Sequence, residues 1–402
     1  MSEHITEIHV VNCWAFKDRK FSLRGKRHLV LLGPNGSGKT SILEGLASAL
    51  LGGASLAWVN ARQLVELHTK VVGSRRDVDE TVRKHRHQLR VQEKIRSEAE
   101  SNSQIAVPSF GTTDLVNWRR ENDSVPVLMF TAPRAFQGEP VEGPRALDPQ
   151  PNRARSVPSF VQYLVNRRTE QAYAREDGNA DKADEIARWF STFETQLSEL
   201  LGEPVTLKFT RSPKFAFSLV HGDGRESPFE KLPAGYGAVL DMLATVIMRY
   251  DAAGKALDDR DALSILLIDE PEVHLHPRLQ RSLLPTLAKL VPGAQIIAAT
   301  HSPLVAASLE DAAVYSLEEG EAVSAYGLDP NAALMRIFDA KLQPDAVREL
   351  LDKAANEVEA QPEAARKTLR KAAEILGNDH DEVVRLTTLL SLLGAEDDAA
   401  DS

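Results

Sequence analysis

A chain of 402 residues, 43% apolar and 26% charged, has enough apolar material for one large α/β domain with insertions, or for two domains, and too much for wholesale disorder. No apolar run reaches the roughly 20 residues of a membrane span, and Met1-Ser2-Glu3-His4 has neither the basic nor the apolar region of a secretory signal. The formal charge of −10 argues against a protein coated in nucleic acid, and the single cysteine, Cys13, excludes a disulfide scaffold or a Cys-rich zinc site, so a cytoplasmic, reducing setting is expected.

Ile5 to Val11 alternates apolar and polar residues and predicts a strand; Phe16 to Leu23 predicts a second, with Arg24-Gly25-Lys26 as the turn. Asn12, Phe16 and Lys17 either border a bound base or are strand residues and a solvated lysine. Leu29 to Leu32 is apolar throughout, as a buried central strand is. It runs into Gly33-Pro34-Asn35-Gly36-Ser37-Gly38-Lys39-Thr40-Ser41 and then a helical pattern to about Leu50. This matches G-x-x-x-x-G-K-[ST], the P-loop. Glycines let backbone N–H groups turn toward a polyphosphate, and the helix N-terminus adds positive dipole. Lys39 is placed to reach the β- and γ-phosphates, and the Thr40 hydroxyl to ligate Mg²⁺.

Trp58 to Glu100 reads as helical and highly charged. Arg83, Lys84, Arg86, Arg90, Lys94 and Arg96 face only Glu93. They either grip phosphates or form a solvated face, with no aromatics between them to stack on bases. His85 and His87, two apart, do not share a helix face. Ser101 to Asp114 is polar with scattered Gly and Pro and reads as a loop, and Pro126 to Thr131 as a strand. Prolines at 133, 140, 144, 149, 151 and 158 predict a long surface loop over Ala132 to Pro158, made locally basic by Arg134, Arg145, Arg153 and Arg155.

Phe160 to Arg175 and Ala180 to Leu201 predict two helices in an antiparallel hairpin, turning at Glu176-Asp177-Gly178-Asn179. Val205 to Phe209 and Phe215 to Val220 predict strands, with a turn at His221-Gly222-Asp223-Gly224. Leu232-Pro233-Ala234-Gly235-Tyr236-Gly237 then leads into an apolar helix from Val239 to Arg249. Ser264 to Ile268 is a buried strand with Asp269 and Glu270 at its C-terminal edge, where ligands bind in open α/β sheets. Asp269 suits Mg²⁺, and Glu270 suits a base that orients or deprotonates water. His274 and His276 lie in the turn that follows. Gln295 to Thr300 is a further strand, ending in His301. Ala346 to Glu359, Pro362 to Leu376 and Glu382 to Leu393 have helix periodicity. From Lys341 onward, acids outnumber Lys plus Arg by 14 to 8, which points to a protein partner or a solvated face. The acidic residues from Gly394 to Ser402 are expected to be disordered.

In this order the motifs resemble the ABC-type ATPase head shared by SMC proteins, RecF and the overcoming-lysogenization-defect proteins. The resemblance rests on Ile8 to Asp18, the P-loop, Asp269-Glu270-Pro271-Glu272-Val273-His274-Leu275-His276-Pro277 and Thr300-His301-Ser302-Pro303. It covers roughly Ile5 to Asn60 and Phe229 to Leu317. It implies an α/β P-loop NTPase of the ABC-ATPase head type, with an inserted helical arm and a helical C-terminal region. The corresponding divisions are 1–57 and 205–330 for the two lobes of the head, 58–204 for the insertion and 331–402 for a docking region.

The same resemblance implies ATP and Mg²⁺ as cofactors and two heads meeting head to tail, with each nucleotide clamped between one P-loop and the partner's signature loop. Gly235 and Tyr236 take the signature position, where Pro233 and Ala234 replace the usual serine. Gln63 and Gln137 are the candidates for the Q-loop glutamine. The hairpin before Gly235-Tyr236, with the C-terminal region, resembles the stand-alone ATPases of anti-phage systems of the Septu PtuA kind. That resemblance implies a separate partner nuclease, often of the HNH type. Two other readings are a RecF-like DNA-repair clamp that binds DNA directly and the cytoplasmic subunit of an ABC transporter. The long segment between P-loop and signature counts against the transporter.

Overall fold

The computed structural model describes residues 4–13, 16–51, 88–97, 105–110, 126–132, 138–145, 159–318, 325–328, 345–358 and 360–400, with a few further positions between these segments. It divides into two compact units, Met1–Ala333 and Leu334–Ser402.

The first unit is built on a six-stranded sheet. Its strands are β3 (His28–Leu32), β5 (Val127–Phe130), β9 (Ser264–Asp269), β10 (Ala294–Thr300), β11 (Ala312–Ser316) and β12 (Ala322–Val323), in the order β12-β11-β3-β10-β9-β5. All pairs are parallel except β11 with β12. The apolar runs at 29–32 and 265–268 become strands buried along their whole length, because both faces of the sheet are covered. Alternate residues of one strand enter different cores. Ile265 and Leu267 of β9 join a cluster with Ile42 and Leu46 of α1 (Lys39–Leu51). Leu266 and Ile268 join a second cluster with Leu164, Leu197, Leu243 and Leu283.

Those last four belong to α2 (Phe160–Glu176), α3 (Ala180–Leu201), α4 (Ala234–Ala252) and α5 (Pro277–Leu290). The hairpin α2–α3 is therefore packed into the main core through Phe160, Ile186, Phe190 and Phe193. Asn179 caps α3 by accepting the Lys182 N–H at 3.1 Å, and Gly178 turns the chain at φ 75°. A sheet of β6 (Val205–Thr210), β7 (Ala216–His221) and β8 (Glu226–Pro228) follows the hairpin.

On the other face lie β1 (Glu7–Cys13), β2 (Phe16–Ser22) and β4 (Ile105–Ser109), in the order β2-β1-β4. The strand β4 corrects the loop expected over 101–114. Ile105 and Ala106 are fully buried, and Pro108 is tolerated because β4 is an edge strand, with one side of its backbone unpaired within the sheet. Phe16 is also settled: its ring packs on Phe21 in the core, whereas Lys17 is exposed. The Asn12 side chain lies outside the described residues.

The proline-rich stretch forms no regular element in its described part, but it is anchored. Val141 and Phe215 exchange backbone hydrogen bonds at 2.9 Å, and Gly138 lies so close to the Phe229 carbonyl that a side chain there would collide. Residues 88–97 are helical, with Arg90 and Lys94 exposed; Arg83, Lys84, Arg86, Gln63, Gln137, Arg134, Arg153 and Arg155 lie outside the described residues.

After α6 (Pro303–Ala306) of the first unit, the second unit packs α7 (Asp345–Glu357), α8 (Pro362–Leu376) and α9 (Asp381–Ala400) around Leu351, Ala354, Leu369, Leu386 and Leu390. Here α9 corrects the disordered tail, because the helix continues through Gly394 to Ala400. Extending an existing helix requires no new nucleation, and Ala395, Ala399 and Ala400 favour it. Among the described residues no helix is long and apolar enough to cross a membrane.

Candidate functional site

The order β3-β10-β9 brings three strand C-termini side by side. Leu32 lies opposite Thr300, and Ala299 opposite Asp269. Residues far apart in the chain therefore emerge at one edge: Lys39 and Thr40 beyond β3, His301 beyond β10, and Asp269 and Glu270 at the end of β9.

Between β3 and α1 the chain makes a tight loop. The Gly33 N–H donates to the Thr300 carbonyl at 3.3 Å, and the Ser37 N–H to the Pro34 carbonyl at 3.2 Å. Gly36 (φ 80°) and Gly38 (φ 93°) hold backbone conformations that side chains strain. Pro34, Asn35 and Gly36 form the exposed crown, Ser37 and Ser41 are half-buried, and Lys39 and Thr40 open the helix. Lys39 is 4% exposed, and its Nζ donates to the Gly33 and Pro34 carbonyls at 2.7 and 2.8 Å. Burial lowers its pKa, and the nearby carboxylates of Glu270, Glu272 and Asp269 oppose that shift. An ammonium held across a loop of turned backbone N–H groups fits a polyphosphate.

The Thr40 hydroxyl donates to Asp269 Oδ2 at 2.9 Å, so P-loop helix and strand-end acid meet directly. A hydroxyl and a carboxylate are hard oxygen ligands and fit Mg²⁺. Glu270 is half-buried at φ 45°, and its N–H is held by the Ala299 carbonyl at 2.8 Å. That conformation starts a turn in which Val273 N–H reaches the Glu270 carbonyl and Leu275 N–H the Glu272 carbonyl. His274 and His276 are both exposed on this turn, and His276 caps α5.

The turn folds Glu272 under the end of β10. Its side chain is 4% exposed; Oε1 accepts the His301 backbone N–H at 2.7 Å and lies 3.0 Å from His301 Nδ1. The imidazole itself is 44% exposed. Nothing in the sequence reading singled out Glu272, although an acid two positions beyond Glu270 was the available signal.

Gly235 and Tyr236 lie at the start of α4, away from this edge in the chain but packed on its turn. A Cβ at Gly235 would come within 2.6 Å of the His274 carbonyl, so only glycine fits. The Tyr236 hydroxyl donates to Glu203 Oε1 at 2.8 Å, and the same carboxylate holds the buried His221 at 3.1 Å. Pro233 precedes α4 and supplies no side-chain cap.

A Gly-rich strand-to-helix loop with its lysine, facing an acid pair at the end of a parallel strand one removed in the sheet, defines a nucleotide-binding α/β fold of the P-loop class. Comparison with known proteins agrees. Residues 138–307 match the family described as AAA domain, putative AbiEii toxin, Type IV TA system, a range that holds Asp269, Glu270 and His301. The chain is 22% identical over 306 residues to Septu protein PtuA of Bacillus thuringiensis, covering 72% of this chain and 70% of that one. It is 28% identical over 135 residues to the Retron Ec83 probable ATPase of Escherichia coli, covering 32% of this chain. The chain spans only 25% of the length of that relative and 35% of the Retron Vc95 probable ATPase of Vibrio cholerae. Among solved structures, the SMC head domain from Thermotoga maritima matches with a TM-score of 0.36 and 10% identity, over 78% of this chain and 94% of that one. The chain thus resembles AAA-domain ATPases, with PtuA among its relatives.

Proposed function

We propose that this chain binds and hydrolyses Mg·ATP at the C-terminal edge of β3, β10 and β9, and that it serves as the ATPase of an anti-phage defence complex. The observation that carries the chemistry is the convergence of Lys39, the Thr40–Asp269 pair, Glu270 and His301 at that edge. The loop from Gly33 to Gly38 wraps the phosphates, with the backbone N–H groups of Asn35, Gly36 and Gly38 as its donors, and Ser41 continues the helix whose N-terminus faces them. Lys39 leaves its two carbonyls for the β- and γ-phosphates. Thr40 and Asp269 hold Mg²⁺, which when bound neutralises charge on the phosphate oxygens. Glu270 takes a proton from the attacking water as its oxygen bonds to the γ-phosphorus. The bond from that phosphorus to the ADP oxygen breaks, and ADP leaves with the electron pair. His301 contacts the water and the γ-phosphate.

Two copies meet head to tail in this reading, with the Gly235-Tyr236 corner of one closing over the nucleotide of the other. Support comes from the start of α4, a 19-residue helix whose first N–H groups receive no side-chain cap. With no serine at 233 or 234, only backbone groups serve there, so turnover is slow. The likeness to PtuA and the retron ATPases supports the defence role, and a separate partner nuclease of the HNH type is part of the same proposal.

A native mass spectrum of the chain purified with the products of neighbouring genes, with and without Mg·ATP, tests the whole. The expected result is an ATP-dependent oligomer carrying a second polypeptide, with phosphate release in the same sample. A lone ATP-dependent dimer that binds duplex DNA would favour a RecF-like clamp. A chain that neither binds ATP nor changes its assembly with it would overturn the reading.

A further inference from the structure

We propose that Glu272 is the positioning residue of His301: it fixes which ring nitrogen faces the reacting groups, and turnover depends on it although it does not touch the nucleotide. The inference rests on the assignment of His301 above.

One carboxylate oxygen, Oε1, does two things. It accepts the His301 backbone N–H at 2.7 Å and sits 3.0 Å from Nδ1 of the same residue. An ionised carboxylate only accepts, so Nδ1 carries its hydrogen toward Glu272 and Nε2 is the nitrogen left for the water and γ-phosphate. Main chain and ring are both tied to one atom, which leaves the imidazole little freedom.

Neighbouring groups brace the same place. Ser302 Oγ donates to Gln280 Oε1 at 2.7 Å, and Gln280 Nε2 donates to the Leu275 carbonyl at 2.9 Å. The turn after Glu270 and the first residues after β10 are thus sewn together from both sides.

The second oxygen of Glu272, Oε2, is buried and has no hydrogen-bond partner among the described residues. A buried carboxylate with one oxygen unsatisfied is costly, and a neutral side chain would serve a purely structural turn better. Its charge instead acts on the site, since it is one of the carboxylates that counter the burial of Lys39.

The test is a double-mutant cycle on the full-length protein, read by steady-state ATP turnover with thermal midpoints alongside. Glu272→Ala is expected to lower kcat about 10- to 100-fold, as loss of a residue that orients a functional histidine does, with KM for ATP nearly unchanged. In a His301→Ala background it is expected to cause no further loss, because the ring it positions is gone. Glu272→Gln keeps an oxygen where Oε1 stands but loses the charge, so its turnover is expected to lie between that of Glu272→Ala and that of the unaltered protein. Additive losses in the cycle, or a Gln variant as poor as Ala, would overturn the proposal while leaving His301 in its role. A His301→Ala variant with normal kcat would overturn the assignment of His301 itself, and the proposal with it.

Discussion

The same three strands treat buried polar groups differently at their two ends. At the N-terminal end, the buried polar residues of the strands themselves are hydrogen-bonded, although the neighbouring Arg27 Nε and His4 Nδ1 have no partner among the described residues. His28 Nδ1 accepts the Ile296 N–H at 3.0 Å. Gln295, fully buried, accepts from Ile5 N–H and donates to the Ile5 and Arg27 carbonyls at 2.8, 2.8 and 2.7 Å. Ser264 pairs with the Tyr250 hydroxyl at 2.5 Å. At the C-terminal end, Glu270 holds φ 45°, Lys39 is a buried ammonium leaning on loop carbonyls, and Glu272 keeps an oxygen unpartnered. Polar groups at one end lock strands together. At the other they store charge and strain for a ligand, which is where a fold departs from its own rules.

Substitutions should separate the two ends cleanly. The largest effect belongs to Glu270→Gln. As a general base it contributes about 10²- to 10⁴-fold, so phosphate release falls by that range while ATP stays bound and the thermal midpoint holds. Turnover equal to that of the unaltered protein would remove Glu270 as the base.

Gln295→Leu should do the reverse. It leaves the Ile5 N–H and the Ile5 and Arg27 carbonyls buried without their partner, at about 1–3 kcal/mol for each such group. Denaturant unfolding should show a loss of about 4 kcal/mol, with KM for ATP unchanged. A loss under about 1 kcal/mol would show that the strand ends relax to find other partners.

The third effect is pH-dependent. Burial pushes the His28 imidazole down to about 4 from its ordinary 6.5, with the Arg27 charge adding to the shift. Because the folded-state value is depressed, the unfolded chain takes up a proton first as pH falls. Stability from this group is fully present above pH 6.5 and is lost between 6.5 and about 4, by about 3 kcal/mol in all. The stability difference between the unaltered protein and His28→Asn should therefore shrink over that window, which unfolding curves at pH 7, 5.5 and 4 measure. A constant difference would mean that His28 is protonated in the fold.

The contrast also explains what the sequence made legible. The P-loop is contiguous, so its glycines, Lys39 and Thr40 carry their chemistry in plain order. Asp269, Glu270 and His301 are strand-end residues, and runs such as 265–268 announce the strands before them. The tie between Glu272 and His301 spans 29 positions and exists only because β9 and β10 are neighbours, a pairing that no local pattern encodes. The strand β4 was hidden by Pro108, a residue that excludes a central strand but not an edge one. The end of α9 was hidden by its acids and Gly394, which read as tail until a packed helix precedes them.

The central claim is that the C-terminal edge of these strands is a Mg·ATP site organised on Lys39. Titration of Mg·ATP onto the unaltered protein and onto Lys39→Ala, followed by calorimetry, tests it most directly. The account predicts saturable binding by the first and a loss of about 100-fold or more in affinity for the second, with both proteins folded. Equal affinity in the two, or no binding by the unaltered protein, would contradict it.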